Sequence, residues 1–168
     1  AIDSVEGDFL TLINQYRANN GLQPLSLNLQ LNASSDWYAC DMATDNYWHH
    51  DHSDNESPQR FPPQRASAFG YGGGVGENIA GGFSTAQAVF DAWRGSPGHN
   101  ANMLNSTYKV IGIGLYYDAS SQFRYYWVTD FGFGPSPGNP PTMQSDCPNG
   151  APATTPAATT PGASATTG

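Results

Sequence analysis

The chain has 168 residues, 12% of them charged and 12% aromatic, and a formal net charge of −8. That length suits one compact domain with a real core, and the acidic balance, with its few basic residues scattered, argues against a nucleic-acid backbone or an anionic membrane surface as partner. No apolar run reaches the length of a membrane-spanning helix.

Asp3 with Glu6 three residues later forms a capping pair, and Val5, Phe9, Leu12, Ile13 and Tyr16 then recur at helical spacing. Gly21 ends this first helix. Leu25, Leu27, Leu29 and Leu31 alternate as in a strand, yet after Asn28 no breaker intervenes before Tyr47. Ala33, Trp37, Cys40, Met42 and Ala43 share one helical face, so the spacing predicts a second helix over about 28–46. Residues 48–76 read as loop: they hold WHHDHSD (Trp48 to Asp54), Pro58, Pro62, Pro63 and the run GYGGGVG. That glycine run lacks the lysine and following helix of a phosphate loop. After a short strand, Ser84 and Gln87 form another capping pair ahead of the apolar stripe Ala86, Val89, Phe90 and Trp93. Ser96-Pro97 opens a short helix through Leu104. Strands are predicted at 109–117 and 123–133, joined by the hairpin loop DASSQ. Helices first and a strand pair last predict an α+β layered domain around an antiparallel sheet.

From residue 148 the chain reads PNGAPATTPAATTPGASATTG, without charge or large apolar side chains. Such a segment buries too little surface to offset its ordering entropy, so residues 1–147 are expected as the domain and 148–168 as a disordered linker or stalk. Cys40 and Cys147 are compatible with one disulfide. The opening Ala-Ile-Asp-Ser, without Met, reads as a mature chain after cleavage, and together with the tail it predicts a secreted or surface-attached protein.

Three groups are candidates for chemistry. Three of the four histidines, His49, His50 and His52, crowd into WHHDHSD. The fourth, His99, lies in the first turn of a short helix, where the positive end of the helix dipole disfavours an imidazolium. Glu77 stands alone among apolar and glycine neighbours, so it is either paired or exposed on a turn. A neutral imidazole ligates metal or accepts a proton. The plainer readings are a capping or hydrogen-bonded role for His99 and Glu77, and a solvated loop for most of WHHDHSD. No H-E-x-x-H, C-x-x-C or G-x-S-x-G occurs.

LINQYRANNGLQPL, GENIAGG, AWRGSPGHNANMLN and YWVTDFG, in this order and spacing, resemble the CAP superfamily (cysteine-rich secretory, antigen-five and pathogenesis-related proteins), also called the SCP domain. The likeness runs from about Phe9 to Gly132 and is strongest to the bacterial, cysteine-poor branch. It implies an α-β-α sandwich with a central antiparallel sheet, and a cleft lined by two histidines and two glutamates. By this resemblance the first glutamate is Glu77, the second histidine is His99, and NYWHH aligns the first histidine with His50, with His49 and His52 a slip of one or two positions away. The second glutamate is absent: Trp93 is followed by Arg94, Gly95 and Ser96, with Ser96 standing in the gap. A Cys40–Cys147 bond would close a loop of over 100 residues and contribute up to ~4.7 kcal/mol in the chain-entropy model.

The resemblance implies a secreted, monomeric binding module. Its cleft would hold zinc or another divalent cation on His50 and His99, with Glu77, Ser96, Asn78 and His52 beside it. A groove for a lipid, sterol or cell-envelope component is also implied. The alternatives are a metal-dependent, peptidase-like hydrolase with Glu77 as general base, and a structural or adhesive extracellular module. The missing carboxylate harms acid–base work, which needs donor and acceptor with separated pKa values, more than it harms a two-histidine metal site.

Overall fold

A computed structural model describes residues 2–51, 61–136, 138, 147 and 166–167. Helix α1 spans Ser4–Asn19 and carries the full capping box: Asp3 Oδ1 accepts from the Glu6 amide at 2.8 Å, and Glu6 Oε2 accepts from the Asp3 amide at 2.9 Å. Strand β1 is only Ser26–Leu27, because Asn28 turns the chain into α2 (Leu29–Thr44) by accepting from the Leu31 amide at 2.9 Å. The segment 48–76 is not all loop. Residues Pro62–Ala68 form α3, where the two prolines fill positions whose amides need no helical partner, and Gln64 reaches back to the Phe61 amide at 3.1 Å.

Strand β2 is Val75–Gly81. Helix α4 (Ala86–Arg94) is capped by Thr85, whose hydroxyl accepts from the Ala88 amide at 3.2 Å, rather than by Ser84. Helix α5 (Pro97–Met103) starts at Ser96 with Pro97 in its first position. Strands β3 (Val110–Tyr117) and β4 (Tyr125–Gly132) form the expected hairpin. Thr166–Thr167 form β5; residues 148–165 of the expected linker lie outside the described residues.

The sheet order is β1-β3-β4-β2-β5. Its body is antiparallel as expected, but β1 pairs with β3 in parallel, so the sheet is mixed. Parallel pairing is open to β1 because everything from α2 to α5 intervenes before β3, ample length for a crossover. β5 pairs antiparallel with Ala80 and Gly81 on the other edge.

The period-2 alternation of the strands divides the core. Ile111, Ile113, Leu115, Trp127 and Phe131 face Phe9 and Ile13 of α1 and Val89, Phe90 and Trp93 of α4. Ile79, Tyr126 and Val128 face Trp37, Tyr38, Ala39, Met42 and Ala43 of α2. Helices therefore cover both faces, which is the expected α-β-α arrangement. Gly112 and Gly114 let α2 lie directly on β3, since a Cβ on either would run into the backbone of Leu31 or Ser35. Cys40 of α2 is bonded to Cys147, with Cα atoms 5.6 Å apart.

Candidate functional site

Glu77 and Asn78 are neighbours on β2 and so point to opposite faces of the sheet. Glu77 faces the α2–α3 side, paired across the strands with Asp130. Asn78 faces α5, where its amide donates to the His99 carbonyl at 3.2 Å. Asn102, one turn on along α5, donates to Asn78 Oδ1 at 2.8 Å and to the Glu77 carbonyl at 3.3 Å. These amides lash α5 to the middle of β2. A cleft of about 280 Å³ opens there, lined by His50, Glu77, Asn78, Gly98, His99 and Asn102.

His50 reaches the cleft from the loop after α2. Its backbone is held by Arg65, which donates to the His50 carbonyl at 2.9 Å, and the preceding carbonyl of His49 accepts from the Tyr38 hydroxyl at 2.6 Å. The His50 side chain is 39% exposed, and its Nδ1 lies 2.9 Å from Glu77 Oε1, which is 2% exposed. His99 presents Nδ1 to the Ser96 hydroxyl at 2.7 Å, and its ring stacks on Trp93. Ser96 thus spends its hydroxyl on the histidine rather than on a backbone amide. Two imidazoles on separate segments are each bonded through Nδ1 to an oxygen. This is the outer-shell arrangement that fixes the tautomer and aims Nε2 as a ligand. Among the described residues, no group of three or more His, Cys, Asp or Glu side chains is placed to hold a metal.

His49 is exposed, and its ring accepts locally from the Asp51 amide at 3.1 Å, away from the cleft lining. His52 lies outside the described residues. Arg65 was not foreseen. It is fully buried, forms an ion pair with Glu77 Oε2, and lies 3.4 Å above the Tyr38 ring. Burial alone would raise the Glu77 pKa, but the charge of Arg65 and the hydrogen bond to His50 outweigh it and hold the carboxyl below its usual value. Asp130 was also missed. Burial, then the charge of Glu77, push it well above the ordinary carboxyl range, and Ser35 of α2 bonds it at 3.1 Å. A charged residue inside the apolar strand YYWVTDFG was the available signal. Arg65 offered none, because its partner is 12 residues away on another element.

The likeness of the chain to known proteins fits this fold. The CAP family model (cysteine-rich secretory protein family) matches residues 10–131, and the chain belongs to that family. It is 33% identical over 114 residues to YkwD, an uncharacterized protein of Bacillus subtilis; the match covers 68% of this chain and 43% of that one. An extracellular SCP-domain protein from Bacillus anthracis superposes with a TM-score of 0.65 at 25% identity, over 76% of this chain and 40% of its own. An outer surface protein of Borrelia burgdorferi gives a TM-score of 0.67 at 22% identity, over 78% of this chain and 95% of its own. The chain therefore spans less than half of the two Bacillus relatives.

Proposed function

We propose that this domain is an extracellular binding module whose cleft takes a divalent cation on His50 and His99. The observation that carries the reading is the matched pair of Nδ1 contacts, His50 to Glu77 and His99 to Ser96, which leaves ligation to the Nε2 side of each ring. Zinc suits such imidazole donors, and a structural zinc site would need four protein ligands, so a two-histidine site would keep positions open for oxygen atoms of a bound partner. When bound, the cation would supply a Lewis-acidic point for an anionic or hydroxyl-bearing cell-envelope component. An extracellular setting is supported by the relatives described as extracellular and outer-surface proteins, and by the disulfide.

Glu77 suits orientation better than proton abstraction. A carboxylate stabilised by a buried arginine is a weak base, whereas a general base works best with a pKa near the operating pH. Its role is to hold the His50 ring, and hydrolysis is not the favoured reading. A lipid or sterol reading has less support: of the six residues lining the groove between α1 and α4, Asp8, Thr11, Thr85 and Gln87 are polar.

Zinc titration by calorimetry tests the proposal. One divalent ion is expected to bind per chain, with binding abolished in His50→Ala and in His99→Ala and nearly intact in His49→Ala. Equal binding by all three variants would place the metal elsewhere, and loss only in His49→Ala would mean that the wrong histidine of the loop was assigned.

A further inference from the structure

β1 covers only the first residues of β3, pairing with Val110 and Ile111. Beyond it no strand among the described residues lies beside the β3 edge, and an open edge is a liability in a sheet. Two side chains close it. Asn32 of α2 accepts from the Ile113 amide at 3.2 Å, and Glu6 of α1 accepts from the Leu115 amide at 3.0 Å. Glu6 is buried at 4% exposure, with its other oxygen held by the Asp3 amide in the capping box. Its side chain also bonds that of Asp36 on α2, whose Oδ2 accepts from Asn32 Nδ2 at 2.9 Å. Two carboxyl groups from helices on opposite faces thus touch around one edge of the sheet.

Each Glu6 oxygen accepts from a backbone amide, and two ionised carboxylates have no donor between them, so a hydrogen bond from one carboxyl to the other requires a proton. Without that proton two negative charges would adjoin in a buried place, which is costly. We propose that Glu6 and Asp36 form a proton-sharing clasp that fastens the first turn of α1 and the helix α2 over the free edge of β3, and that it opens as the medium turns alkaline. The charged group that acts on both members of the pair is Asp3, which adds a like charge. Burial is the largest cause in both, raising Glu6 to about 7 and Asp36 to about 9.

The sign follows from linkage. Carboxyls with folded pKa values above their unfolded ones bind more protons when folded, so their contribution is full below the ordinary carboxyl range and declines as pH rises from there, until it is lost by about 7 for Glu6 and about 9 for Asp36. Asp130 is raised as well, so global stability would mix the two sites, and a local readout is needed.

Amide hydrogen exchange of the whole chain between pH 5 and pH 9, corrected for intrinsic rates, supplies it. Protection of Leu115 relative to Val128, in the middle of the sheet, is expected to fall steadily from pH 5 to pH 9, about a decade per unit for each linked proton. In Glu6→Gln the side-chain oxygen still accepts from Leu115 and the NH2 donates to Asp36, at the loss of the acceptor for the Asp3 amide; the shared proton is gone, so the fall should be clearly shallower than in the unmodified chain. If Glu6→Gln does not fold, Asp36→Asn supplies the same comparison. A flat ratio in the unmodified chain, or the same fall in the folded variant, overturns the clasp.

Discussion

Arg65 holds two things at once, the carbonyl of His50 and the carboxylate of Glu77, from a position with no access to water. Removing it leaves Glu77 charged and buried beside Asp130. Arg65→Met should therefore destabilise the domain by about 3–5 kcal/mol in urea unfolding. Adding Glu77→Gln should restore much of that loss, because the uncompensated charge disappears; a purely additive double variant would contradict this account. Glu77 and His99 were legible as residues because each stands in a short motif, GENIA and SPGHNA. The arginine that sets the Glu77 charge state was not, since ion pairing depends on where α3 comes to rest.

At the scale of elements, the closest packing in the molecule is α2 against β3. Ser34, Ser35 and Ala39 are buried on the helix, and Gly112 and Gly114 lie under it on the strand. Gly114→Ala should cost about 1–3 kcal/mol, read from the urea midpoint, because the new Cβ meets the Ser35 backbone, which moves only with the whole helix. An unchanged midpoint would show that α2 can lift without loss. The boundaries of α1 and α2 could be read from Asp3, Glu6 and Asn28, as caps act within one turn. α3 could not be read as helix while its prolines were taken as loop markers, although Pro62 and Pro63 sit where helices tolerate them. The cap of α4 moved by one residue, from Ser84 to Thr85, a choice between two hydroxyls that local sequence leaves nearly degenerate.

At the scale of the whole molecule, the bond between Cys40 and Cys147 joins positions 107 residues apart and ties the region after the last core strand back to α2. Reduction, or paired replacement by alanine, should lower stability by up to ~4.7 kcal/mol, measured as the difference between urea curves with and without reductant. Coincident curves would mean that packing alone holds the segment. The sequence by itself determined the α+β class, the two long helices, the β3–β4 hairpin and the family, because caps, periodicity and short motifs are local quantities. Only the tertiary structure decided which carboxyls are charged. Glu77 is ionised through Arg65, while Glu6, Asp36 and Asp130 are raised, and each of those states comes from burial and from a partner brought in by the fold. It also set His50, which the alignment had favoured over His49, against Glu77, with the carbonyls of both histidines anchored by Tyr38 and Arg65.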